Sequence, residues 1–177
     1  PESLEQIGYK VSLLDVASVN AENLKKYDAV VVGIRAYNTV ESLKFKQAEL
    51  LKYTKNGGTL IVQYNNNRGI VTDQLAPYKL ELSRDRVTEE DAEVKFLAPE
   101  ASVLNTPNKI TSADFENWVQ ERGLYFPNSW GPEFTPILSM HDTNETAMDG
   151  SLLVSKYGKG YYIYTGLSFF RQFPVGV

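Results

Sequence analysis

An α/β domain built on a mainly parallel sheet is predicted by three features of the chain. Tyr27 to Arg35 is a short, mostly apolar run, Gly57 to Asn65 is another, and a helical pattern lies between them. Short apolar runs suit strands buried on both faces, and an intervening helix is the crossover that parallel strands require. The third feature is the pair of runs Ser151 to Tyr157 and Tyr161 to Gly166 around Gly158-Lys-Gly, which reads as a C-terminal β-hairpin.

Taken in order, Glu2 to Ile7 is predicted to end a helix at Gly8, and Tyr9 to Leu14 alternates as a short strand. Ala21 to Lys26 is a helical turn that leads into the strand Ala29 to Ile34. The helix from Asn38 to Asn56 is expected to start on a capping box, Asn38 with Glu41, and to bury Val40, Leu43, Leu50 and Leu51 on one face. Lys52 and Lys55 suit the negative end of its dipole, and Asn56-Gly57-Gly58 stops it. After Tyr64 the run Asn65-Asn-Asn-Arg-Gly is too rich in turn formers to extend a strand. Tyr78 to Ile110, with Arg84-Asp-Arg and Glu89-Glu-Asp, reads as an irregular insertion holding short strands such as Val94 to Leu97. Asp114 to Gln120 reads as a helical turn, Gly123 to Pro127 as a strand end, Pro136 to His141 as a short strand, and Asp142 to Gly150 as an acidic loop. No repeat, low-complexity tract or linker divides residues 1–177, so they read as a single domain.

Composition narrows the function classes. Hydrophobic content of 42% with 23% charged residues is globular rather than disordered. A net charge of -4, with Lys and Arg scattered among acids, argues against a nucleic-acid partner. No apolar run approaches the ~20 residues of a membrane-spanning helix. The absence of cysteine excludes disulfides and thiolate chemistry, and suits an exported or a cytoplasmic protein alike.

Tyr27-Asp-Ala-Val-Val-Val-Gly, Asn56-Gly-Gly-Thr-Leu-Ile-Val and Lys156-Tyr-Gly-Lys-Gly-Tyr-Tyr-Ile-Tyr-Thr-Gly-Leu resemble the class I glutamine amidotransferase-like domains, on the branch of the trehalose-utilisation (ThuA-like) proteins. Gly33-Ile-Arg-Ala-Tyr-Asn, Phe115-Glu-Asn-Trp-Val-Gln-Glu-Arg-Gly-Leu-Tyr-Phe and Gly166-Leu-Ser-Phe-Phe-Arg-Gln are more particular. They are similar to the C-terminal domain of large bacterial PIG-L (LmbE-like) deacetylases. The resemblance implies a flavodoxin-like three-layer sandwich, a linked deacetylase domain as partner, and a bacterial source. It also implies a strand before the first helix; Pro1 already lies at that helix, so the chain is read as a piece of a longer protein. A working glutaminase of this type carries a nucleophilic Cys after the strand that corresponds to Thr59–Gln63. Here Tyr64 and three asparagines follow that strand. Thioester chemistry is therefore excluded, and the zinc motif His-Pro-Asp-Asp-Glu of the deacetylases is missing too.

The candidate ligand residues lie where strands end. Arg35, Tyr37 and Asn38 follow the first parallel strand, and Asn65, Asn66 and Arg68 follow the second. Open α/β sheets bind ligands at the carboxyl ends of their strands. Arg offers a planar fork for carboxylates or vicinal hydroxyls, while Asn supplies both donors and acceptors. Glu121 and Arg122 are expected to pack back over this edge. No metal or cofactor is expected: His141 is the lone histidine, and the oxygen-rich loop after it lacks calcium-loop spacing. The expected function is a non-catalytic accessory domain that binds carbohydrate or supports assembly. The enzymatic alternative is a sugar-processing activity using Glu121, Arg122, Arg35 and Asp142. For assembly, the aromatic tail Tyr161 to Phe173 is expected to offer an exposed apolar patch, as in similar domains that build the trimer of large β-galactosidases.

Overall fold

The computed structural model describes residues 1–176 as a mixed α/β fold around a five-stranded sheet. The first strand, β1 (Ala29–Val32), follows two short helices, α1 (Glu2–Gln6) and α2 (Ala21–Leu24). Two further helices, α3 (Ala36–Thr39) and α4 (Gln47–Lys55), carry the chain to β2 (Thr59–Gln63), which pairs parallel to β1 with Val30 opposite Leu60. The predicted crossover is present.

The predicted hairpin is present as well. It consists of β8 (Leu152–Tyr157) and β9 (Gly160–Thr165), turning on Gly158-Lys159. Its second strand inserts parallel to β2, so its first strand must run the other way, and β6 (Phe134–Pro136) adds a further antiparallel edge. The sheet, in the order β1-β2-β9-β8-β6, is thus parallel on one side of β9, as expected, and antiparallel on the other. The hairpin turn needs its glycines because it rests on the end of α4: a Cβ on Gly160 would lie 2.2 Å from the carbonyl oxygens of Thr54 and Gly58.

One face of the sheet presents Val30, Val32, Leu60, Val62, Tyr162 and Tyr164 to α4, whose Leu50, Leu51 and Tyr53 complete the main core. On the opposite face a second core, centred on Phe126, Leu138 and Met140, covers β8 and β9 through Val154 and Ile163. That cover thins toward the β1 edge, where Val31 is 45% exposed. The second core belongs to the segment between β2 and β8. It contains β3 (Leu80–Val87), β4 (Lys95–Phe96), α5 (Ser102–Asn105), β5 (Gly123–Trp130) and β7 (Leu138–Ser139). Within it, β3 and β5 form an antiparallel ribbon and β4 pairs with β7.

Four expectations need correcting. Tyr9–Leu14 is not a strand: among the described residues no strand lies beside it, and Leu13 stays 82% exposed. Apolar alternation without a hydrogen-bonding neighbour does not make a strand. The helix expected over Asn38–Asn56 is broken into α3, a 3-10 stretch at Glu41–Phe45 and α4. Asn38 does not cap it, because its side chain is drawn to the main chain of Asn66 and Arg68. The insertion is more regular than its sequence suggested: β3 is an eight-residue strand. Register shifts between Leu82, Asp85 and Arg86 disturb its period of two, which hides it from a pattern search. Finally, the aromatic tail is no exposed patch. Tyr162, Tyr164 and Leu167 are buried, and Tyr161 is its one exposed large apolar side chain among the described residues, because β9 is an interior strand.

Candidate functional site

The loops after β1 and β2 meet at the carboxyl ends of the strands, as the parallel pairing demands. The Arg35 amide donates to the Tyr64 carbonyl at 2.8 Å, and the Tyr37 amide donates to Asn65 Oδ1 at 3.0 Å. Asn38 closes the same joint. Its Oδ1 accepts from the Asn66 amide at 2.8 Å, and its Nδ2 donates to the carbonyls of Asn66 and Arg68 at 3.2 and 2.9 Å. Asn65 Nδ2 donates to the Gln63 carbonyl at 2.9 Å, and the Asn65 amide donates to the Tyr164 hydroxyl at 3.1 Å. Tyr37 and Asn65 are fully buried. The Tyr37 hydroxyl donates to Gln47 Oε1, and burial pushes its pKa up despite that bond. These polar groups hold the two loops to each other rather than facing solvent.

What the joint leaves open is Arg35. It sits at the strand-to-helix turn in the left-handed region, φ 55°, with its side chain exposed and in no ion pair among the described residues. Arg68 is also exposed. Near Arg35 lies the buried Tyr64, whose ring is parallel to that of Tyr125 with centroids 6.1 Å apart and lies 5.4 Å from the ring of Phe170. Burial pushes the Tyr64 hydroxyl pKa up, against the opposing pull of the nearby Arg35 and Arg171 charges. Phe170 belongs to α6 (Phe169–Gln172), which follows β9, so three strand ends contribute to one surface.

Glu121 reaches this surface and Arg122 does not. Glu121 Oε1 accepts from Arg171 Nε at 2.6 Å, and Arg171 lies over the Phe170 ring at 5.0 Å and donates to Gln120 Oε1. Arg122 is buried in the second core. Its Nε and Nη2 donate to the Ala92 carbonyl at 3.0 and 2.8 Å, its Nη1 donates to the Phe115 carbonyl, and its guanidinium lies 5.5 Å from the Trp118 ring. The chain bends at Arg122 just before β5, and the two neighbouring side chains part there, one to the surface and the other into the core. Glu121 thus pairs with Arg171 and not with its neighbour, and of the two residues expected over this edge only Glu121 is there.

Asp142 is likewise occupied. Its carboxylate accepts the Thr88 and Glu89 amides at 2.8 Å each and the Thr88 hydroxyl at 2.6 Å. Burial opposes ionisation, but these donors outweigh it and hold the Asp142 carboxyl below its ordinary range. His141 Nδ1 lies 2.9 Å from the Asp142 carbonyl oxygen.

Sequence reasoning did not single out Tyr125, Phe170, Arg171, Arg84 or Arg86 as site residues. Arg84 and Arg86, with Glu121, Leu124 and Tyr125, line a cavity of about 290 Å³ next to the aromatic cluster. The available signal was the segment Glu121-Arg-Gly-Leu-Tyr together with Phe170-Arg171, both inside the most particular stretches of the chain.

No family model and no curated protein matches the chain. Solved structures do. Two cytoplasmic proteins of Salmonella typhimurium share its fold at TM-scores of 0.54 and 0.59, with 18% and 13% identity. These matches cover 93% and 94% of this chain, and 72% and 73% of the Salmonella chains. A cold-adapted β-galactosidase from Rahnella matches at a TM-score of 0.52 and 15% identity, over 93% of this chain but only 23% of its own. At such identities the likeness is one of fold.

Proposed function

We propose that this chain is a flavodoxin-like, amidotransferase-like domain that acts without catalysis, gripping carbohydrate at its strand ends beside a linked deacetylase. The observation that carries the reading is the cluster of Tyr64, Tyr125 and Phe170 flanked by Arg35 and the Arg171–Glu121 pair. Aromatic faces with planar, charged hydrogen-bonding groups at their rim suit a sugar, which offers apolar C–H faces and a ring of hydroxyls. Tyr64 ends the strand after which the resemblance sets the amidotransferase nucleophile, and there it is a buried support under the half-buried rings of Tyr125 and Phe170. A fold of this kind forming a quarter of a β-galactosidase chain is consistent with an accessory module. The enzymatic alternative draws no support from the geometry, since Arg122 and Asp142, half of its proposed machinery, are engaged inside the fold.

Titration of the chain with a panel of monosaccharides and short glycans, beside Arg35→Ala and Tyr125→Ala, tests the reading. Binding by wild type that weakens in both variants is expected. Glutamine and N-acetylated amino sugars are expected to remain unhydrolysed, and robust turnover of either would overturn the proposal. Asn65→Ala is unsuited to this test, because Asn65 holds the loops together.

A further inference from the structure

The cavity on the β3–β5 ribbon is lined by two arginines and one glutamate. Arg84 and Arg86 both line it, and neither forms an ion pair within the described residues. The one carboxylate in the lining, Glu121, is already neutralised by Arg171. Asp142, the carboxylate whose charge interacts with Arg86, has its oxygens committed to Thr88 and Glu89. A cleft with two guanidinium groups that form no ion pair among the described residues therefore sits on a chain of net charge -4.

The backbone around the cleft is also unusual. Tyr125, which lines it, lies in the left-handed region at φ 53°, and Gln120, whose side chain holds Arg171, lies there at φ 70°. Such conformations are costly for bulky residues and concentrate where side chains must be aimed. On β3, Arg84 and Arg86 are two residues apart, so the period of two of a strand brings both to the same cavity. A volume of about 290 Å³ is at the small end of ligand sites and suits a single sugar ring better than a long chain.

We infer that this cleft recognises an anionic sugar, with the oxyanion on Arg84 and Arg86 and the ring beside Tyr125. The inference rests on the carbohydrate reading above and names its ligand class. Guanidinium forks match carboxylate and phosphate oxygens in two-point geometry, so a uronic acid and a sugar phosphate share the relevant chemistry.

Calorimetric titration of the chain with glucose, glucuronate and glucose 6-phosphate, beside an Arg84→Gln/Arg86→Gln double variant, tests it. At least one charged sugar is expected to bind about tenfold or more tightly than glucose, with the stronger of the two identifying the oxyanion. The preference is expected to vanish in the double variant, whose melting temperature should match wild type because both side chains are exposed. Equal affinity for glucose and both charged sugars would overturn the inference while leaving carbohydrate binding intact. A charge preference that persists in the double variant would also overturn it. Failure of all three sugars to bind, alongside a glycan panel that binds nothing, would remove both readings together.

Discussion

The Asn-rich loops after β1 and β2 and the β3–β5 ribbon make an instructive contrast. The loops carry the residues that look most like a binding site, yet the side chains of Tyr37, Asn38 and Asn65 are spent on neighbouring groups of the fold. The ribbon carries residues that look like an irregular solvent-facing insertion, yet it supplies Arg84, Arg86 and Tyr125 around a cavity with unpaired cations. A polar side chain marks a site only when its donors and acceptors remain unused, and that depends on neighbours distant in sequence.

The largest effect that would sharpen this contrast is expected in the second core. Arg122→Met removes the donors to Ala92 and Phe115 and leaves their buried carbonyls unpaired. Denaturant unfolding is expected to show a loss of about 3 kcal/mol or more, with sugar binding retained wherever the fold survives. A loss of binding at unchanged stability would instead return Arg122 to the ligand surface. Next comes Asn65→Ala, which strands the buried Tyr37 amide and is expected to destabilise by about 2 kcal/mol. If stability is unchanged and affinity falls, the loops are a binding site and not a joint.

Asp142→Asn is expected to lower stability by about 1–2 kcal/mol near neutral pH, through weaker acceptance from Thr88 and Glu89. Its pH dependence follows from the direction of the shift. The folded carboxyl titrates below its ordinary value of 3.8, so its stabilisation is complete above that pH and is lost as pH falls through the lower, folded value. The gap between wild type and variant in urea midpoints should therefore close in acid, and a gap that widens there would contradict the assignment. Smallest is Arg35→Gly. Replacing a residue at φ 55° relieves backbone strain, partly offset by the unfolded chain's gain in freedom, for a net change within about 1 kcal/mol. Sugar affinity is nevertheless expected to fall, so the variant separates recognition from folding.

Much of the fold was readable from local pattern. The apolar run at Ala29–Val32, the last-turn lysines at Lys52 and Lys55 and the Gly-Lys-Gly turn each identify their element through short-range chemistry. Less of the site was readable. Arg35 and Glu121 are on its surface, but Tyr125, Phe170 and Arg171 approach Tyr64 only because β9 comes home beside β2 after about a hundred residues. The β3 strand escaped notice because its register shifts break the alternation that reveals strands.

By itself the sequence determined the strand–helix–strand crossover, the terminal hairpin and the exclusion of thiol chemistry, since periodicity, turn preference and residue chemistry are local properties. The tertiary structure alone decided that the sheet is mixed, that Arg122 turns inward while Glu121 turns out, and that Asn65 is a brace. It also decided which arginines form no ion pair among the described residues. Pairing depends on which distant groups come within hydrogen-bonding distance, and only the folded chain sets those distances.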